Sequence, residues 1–151
     1  MKLTILGTGN AKVTKCYNTC FVLNKDKEYF MIDGGGGNTI LKQLEDAGIS
    51  WKEISTIFVT HKHIDHLLGI IWMLRMYCQG MARGQFGGEV TIYGHDEVVS
   101  LLKQMLLFTH HYPARCFGMN MPKSRDIQAK IPLPQAIWNE FWLRYCERSE
   151  Q

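Results

Sequence analysis

The chain has 151 residues, 46% of them hydrophobic and 21% charged, with a formal net charge of +3. That length suits one domain with a buried core, and that composition excludes an intrinsically disordered chain. So small a net charge does not by itself imply binding to nucleic acid or an anionic membrane, although it does not oppose an anionic substrate.

The N-terminus reads directly into a short strand over residues 3–6, closed by the turn Gly7-Thr8-Gly9-Asn10. It has neither the long apolar core nor the small-residue cleavage site of a signal peptide. The longest apolar-rich run, residues 67–77, is interrupted by Gly69 and Arg75 and is too short to span a bilayer. A cytoplasmic protein is expected. The cysteines Cys16, Cys20, Cys78, Cys116 and Cys146 form an odd set without a secretion signal, which points to reduced thiols. Cys16 and Cys20 have a spacing that a zinc pair can use, but no second Cys/His pair completes the site, so structural or incidental cysteines are expected.

Residues 20–23 and 29–32 read as strands joined through the polar turn at residues 24–27, a hairpin. Asp33 and the run Gly34 to Gly37 follow. The glycines can either cradle a phosphate through backbone N–H groups or form a tight turn beside a site. They lack the Lys-Ser/Thr of a P-loop, so the turn is favoured. Asn38 or Thr39 can cap a helix over 39–48 whose face is Ile40, Leu41, Leu44 and Ala47, ended by Gly48. Asp33 has two readings, a cap for that helix or a group supporting a nearby site.

Residues 56–60, β-branched and aromatic, predict a buried strand. A histidine cluster follows, then a helix over 67–77 with Trp72, Met73 and Met76 as core residues, a glycine-rich loop over 80–88 and a strand over 90–93. Asp96 can cap a helix over 96–110 that buries Val98, Val99, Leu102, Met105 and Leu106. Arg83 and Lys103 are read as solvated. After residue 112 the character changes. All four prolines lie there, but only Gly118 of the fourteen glycines. The chain therefore divides into a strand–helix domain over 1–112 and an atypical proline-containing tail over 113–151. The one helix expected in the tail runs from Ile137 to Tyr145, with Trp138 and Trp142 four residues apart.

The chemistry concentrates in His61-Lys62-His63-Ile64-Asp65-His66, which holds three of the chain's six histidines. A strand end delivers these side chains to a fixed point, and the helix after them closes the loop. His61 and His63 alternate, so an extended backbone points both the same way. Two imidazoles with a third ligand suit tetrahedral zinc with a position open for water. Asp65 and His66 can turn toward a second ion, and carboxylate with imidazole suits Zn²⁺, Mn²⁺ or Fe. Two neighbouring ions lower the pKa of a shared water, and Asp65 is suited to orient or deprotonate it.

The stretch Thr60-His61-Lys62-His63-Ile64-Asp65-His66-Leu67-Leu68-Gly69 resembles the HxHxDH signature of the metallo-β-lactamase superfamily. Leu6-Gly7-Thr8-Gly9-Asn10-Ala11 and Ile32-Asp33-Gly34-Gly35-Gly36 resemble its ribonuclease Z-like branch. The resemblance covers about residues 1–110. It implies an α/β fold, the N-terminal part of an αββα sandwich, and a dinuclear zinc centre. His61 and His63 would hold one ion, Asp65 and His66 the other, with Asp65 also the catalytic proton acceptor and Asp33 in a supporting role. The implied activity is hydrolysis of phosphodiesters, RNA among them, with tRNA 3′ processing as one member of that class.

The family pattern also requires a later His, a bridging Asp and a final His. After His66 the chain offers His95, His110 and His111, with Asp96 and Asp126, none in a family-like context. The rival expectation is thus a truncated or altered half-domain that binds metal weakly, dimerises to cover its exposed sheet, or serves as an interaction module.

Overall fold

The structure, a computed structural model, describes residues 1–109. Five strands form one sheet: β1 (Lys2–Gly7), β2 (Cys20–Lys25), β3 (Glu28–Ile32), β4 (Ile54–Phe58) and β5 (Thr91–Tyr93). Their order in the sheet is their order in the chain. The first three are antiparallel neighbours, and β4 and β5 are added parallel. The parallel crossovers carry α1 (Thr39–Asp46) and α2 (Ile64–Ala82), and α3 (Asp96–Thr109) follows β5. The predicted hairpin between β2 and β3 is present, and Asp26 takes the left-handed conformation (φ 57°) that its tight turn requires.

The period-2 pattern of the strands separates two faces. Val22, Met31, Ile57 and Ile92 are buried against Ile40 and Leu44 of α1, Leu67, Ile70 and Leu74 of α2, and Leu102 of α3. This is the main core. On the other face Ile32, Phe58 and Tyr93 are buried beside Phe21, Leu23 and Phe30, a cluster that draws on strand residues alone among those described. The same face continues to Leu3 and Ile5 on β1, which are 54% and 52% exposed and pair with Leu23 and Phe21.

Several boundaries differ from the sequence reading. β4 starts and ends two residues early. Val59 and Thr60 run on extended, and Val59 N–H still donates to the Tyr93 carbonyl (2.8 Å). α2 is longer at both ends than 67–77. It takes Asp65 and His66 into its first turn, and it carries Gly80 because only a glycine leaves room there for Trp51 and Phe86. α1 does end at Gly48, in a Schellman arrangement with Ile49 N–H on the Leu44 carbonyl and Gly48 N–H on the Glu45 carbonyl (both 2.9 Å). Asn38 occupies its N-cap without a side-chain bond. Trp72 is not a core residue. It is 39% exposed, with the Arg75 guanidinium 5.9 Å from its ring centroid. His110, His111, Cys116, Cys146, the tail over 113–151 and its expected helix with Trp138 and Trp142 lie outside the described residues. No described helix is long and apolar enough to cross a membrane.

Candidate metal centre

The site forms where β3, β4 and the start of α2 meet. Asp33 follows β3 and has a left-handed backbone (φ 57°), an uncommon conformation that Asp tolerates better than most residues. Its side chain is buried and accepts three hydrogen bonds. Thr60 N–H donates to Oδ1, Thr60 Oγ1–H donates to Oδ2, and His66 Nδ1–H donates to Oδ2, all at 2.8 Å. The cap reading of Asp33 therefore fails, and the supporting reading holds.

These bonds fix more than His66. Thr60 has a single hydroxyl proton, and an ionised carboxylate can only accept, so that proton goes to Asp33. His61 Nδ1, 2.9 Å from Thr60 Oγ1, is then the donor. One buried carboxylate thus sets the tautomer of two histidines, one directly and one through Thr60, so that in the neutral form of each ring the proton sits on Nδ1 and Nε2 is left as an acceptor.

Backbone geometry aims the remaining ligands. His63 is the N-cap of α2 with extended dihedrals (φ −66°, ψ 145°) and no side-chain cap bond, so its imidazole is free to face His61. His61 Nε2 lies 3.1 Å from His63 Nδ1. Asp65 Oδ2 lies 3.4 Å from His66 Nε2. The His61 ring centroid is 4.5 Å from that of His63 and 4.2 Å from that of His66. Asp65, in the first turn of α2, is favourably placed against the positive end of the helix dipole.

The structure thus brings together all four residues singled out from the sequence, as two pairs. Ligands held about 2.0–2.2 Å from a tetrahedral ion stand roughly 3.3–3.5 Å apart, close to the separations of both pairs, 3.1 and 3.4 Å. The charges fit as well. Burial opposes the protonated form of His66, but the bond and charge of Asp33, joined by Asp65, outweigh it and hold its pKa above the usual imidazole range. Burial, then the neighbouring His66, holds His61 below that range. The pocket therefore draws positive charge to the carboxylates while keeping one imidazole neutral. A divalent cation suits that environment. Each pair is nevertheless only half a shell. Among the described residues no group of three or more His, Cys, Asp or Glu is assembled to grip one ion.

The other candidates do not converge on this point. His95 precedes α3, and its Nδ1 accepts from Glu97 N–H at 3.4 Å. The cysteine pair is divided between exposed Cys16 and buried Cys20. Burial, then the Asp33 charge, pushes the Cys20 thiol up to about 12, the opposite of what a thiolate ligand needs. The glycine run is the close turn expected. A Cβ on Gly69 of α2 would fall 1.8 Å from the Gly34 carbonyl oxygen, and Gly34 N–H donates to the His66 carbonyl while Gly69 N–H donates to the Gly35 carbonyl (2.8 and 2.9 Å). Sequence reasoning gave no role to Thr60, although its place directly before the motif was a usable signal. It also missed Tyr17, whose partners Gly34 and Gly37 lie too far along the chain for local spacing to show.

The profile of the family described as Anti-Pycsar protein Apyc1 matches residues 1–114. The chain is 33% identical over 132 residues to ribonuclease Z of a Methanococcus maripaludis strain, a match covering 84% of this chain and 40% of that protein. Among solved structures, human tRNase Z, short form, aligns with a TM-score of 0.61 at 26% identity, over 73% of this chain and 40% of that one. The metallo-β-lactamase fold protein YhfI of Bacillus subtilis aligns at 0.56 with 18% identity, over 68% of this chain and 41% of that one, a likeness of fold. The five-stranded sheet with its helices is thus part of a metallo-β-lactamase fold, and the chain spans about 40% of the length of the curated relative it matches.

Proposed function

This chain belongs to the family of the Anti-Pycsar protein Apyc1, within the ribonuclease Z-like branch of the metallo-β-lactamase fold, and from that premise we propose that it carries part of a metal-dependent phosphodiesterase site. The observation that carries this reading is the pair of tetrahedral-edge contacts, His61 Nε2 to His63 Nδ1 and Asp65 Oδ2 to His66 Nε2. His61 and His63 would hold one ion and Asp65 and His66 a second, with zinc the favoured metal and Mn²⁺ or Fe the alternatives. Divalent ions bound there supply Lewis-acid activation of water and neutralise charge on a phosphoryl oxygen.

The protein's own groups supply the rest. Asp33 and Thr60 hold His61 and His66 in the tautomer that leaves each Nε2 free. Asp65, largely buried beside His66, would accept a proton from the attacking water. The substrate class is a phosphodiester, with RNA and tRNA 3′ ends among its members. A cytoplasmic setting is part of the proposal, supported by Cys16 and Cys20, which form no disulfide among the described residues. So is self-association through the apolar sheet face that reaches Leu3 and Ile5.

The half-shell geometry favours a second, quantitative reading. Among the described residues each ion would have two protein ligands, and ions so held exchange readily, so the 151-residue chain is expected to be far less active than a full-length relative. The test is metal content per chain, measured alongside hydrolysis of bis(p-nitrophenyl) phosphate. Bound zinc that falls in His63→Ala, with weak hydrolysis lost in Asp65→Ala, supports the proposal. Unchanged zinc in His63→Ala removes the metal reading. Turnover equal to a full-length relative removes the reading of an incomplete shell.

A further inference from the structure

The turn over Gly34 to Gly37 is held in two ways. α2 holds it through the backbone bonds from Gly34 to His66 and from Gly69 to Gly35. The turn is also held by the side chain of Tyr17, from the loop between β1 and β2. Its hydroxyl oxygen is 2.7 Å from both the Gly34 and the Gly37 carbonyl oxygens, which share its one proton, and it accepts from Gly37 N–H at 3.2 Å. Its ring packs against the main core and lies directly beneath Gly35, where a Cβ would fall 2.3 Å from Cε1. Gly35 is also left-handed (φ 69°), so the ring and the backbone conformation exclude any other residue together. Next along the chain, the Asn18 side-chain oxygen faces Gly36, whose own Cβ position is 3.7 Å from the Asp65 Cα.

We propose that Tyr17 is a positioning residue for the Asp65–His66 half-site, acting through the Gly34–Gly37 turn. Asp33 immediately precedes that turn in a left-handed conformation that costs energy unless its surroundings impose it. The Tyr17 hydroxyl ties both ends of the turn together. That fixes the direction in which the Asp33 carboxylate leaves the backbone, and with it the bond to His66 Nδ1. Burial holds the phenol well above its usual range, so the hydroxyl keeps the proton it donates. The main chemistry of the site does not use Tyr17. Its hydrogen bonds run to Gly34 and Gly37, and it acts by holding the loop that carries the support of the candidate ligands.

The test is Tyr17→Phe, which removes the hydroxyl and keeps the ring in the core. Its first readout needs no metal and no activity: exchange with solvent of the His66 Nδ1 proton and of the Gly35–Gly37 amides, followed by NMR in metal-free protein. Variant and parent are compared at equal distances below their own melting temperatures, with the Leu23 amide of β2 as reference. The expected result is exchange roughly tenfold faster at His66 and the turn, with Leu23 unchanged. The second readout rests on the metal reading: Co²⁺ affinity, expected to fall about tenfold, the low end for groups that orient ligands. Wild-type exchange at His66 and the turn in Tyr17→Phe, or equal acceleration at Leu23, overturns the proposal. Absence of Co²⁺ uptake by the parent protein overturns the metal reading instead, and the exchange result still decides the role of Tyr17.

Discussion

Asp33 holds two histidines through one carboxylate, and each belongs to a different ligand pair. Asparagine at this position keeps the shape but has one acceptor oxygen where three donors arrive, and its amide adds donors of its own. Asp33→Asn is therefore expected to lower stability by about 2–3 kcal/mol, since buried groups lose charged partners, and to weaken metal binding by roughly 10- to 100-fold. Denaturant unfolding and a chelator-competition titration check the two effects. A variant that unfolds more easily but binds metal as before would confine Asp33 to a stability role. That His61, His63, Asp65 and His66 would meet as candidate ligands was legible from the sequence, because a three-histidine cluster at a strand end has few other uses. The choice between the two readings of Asp33 was not legible. It turns on a left-handed backbone and on Thr60 and His66, both about thirty residues further on, and no local pattern encodes that meeting.

At the scale of elements, the turn after β3 and α2 approach closely where Gly34 and Gly69 meet backbone to backbone. Gly69→Ala would place a methyl group 1.8 Å from the Gly34 carbonyl oxygen, with no flexible side chain to yield. It should cost on the order of 3 kcal/mol by overpacking and push the first turn of α2 away from Asp33. Gly37→Ala is the control. Nothing lies within 4 Å of its Cβ position, and the substitution should be nearly neutral. Thermal melts of the two variants, with metal uptake beside them, check both expectations. Equal melting temperatures would show that the helix can shift freely. The existence and order of the elements were readable from hydrophobic periodicity, including the buried faces of α1 and α3. The ends of α2 were not. Its first turn contains polar ligands that read as loop, and its last contains Gly80, which reads as a breaker until Trp51 and Phe86 are seen against it. The exposure of Trp72 on the same helix was likewise hidden, since an aromatic in an apolar run carries no mark of facing outward.

For the molecule as a whole, the sheet has two unequal faces. One is covered by three helices. On the other, Ile32, Phe58 and Tyr93 are buried, while Leu3 and Ile5 on β1 are 54% and 52% exposed, and exposed apolar side chains at a sheet edge favour association. The weight-average mass in sedimentation velocity is expected to rise with concentration, and Ile5→Glu, at a 52% exposed position, should reduce that rise without lowering the melting temperature. A mass that stays that of one chain at every concentration would remove the self-association proposal. The arrangement of strands has a different consequence, for kinetics. Each described strand pairs with the one made just before it, so among them none waits for a later one to be inserted between itself and its neighbour. The β1–β3 meander closes short loops, and β4 and β5 then each find a finished edge to join. Such a topology keeps the loop-closure entropy of every step low, and it lets the sheet extend from one side as the polypeptide leaves the ribosome. The candidate ligand residues, which lie between the fourth and fifth strands in the chain, are then synthesised after the Asp33 turn that holds His66 is already in place.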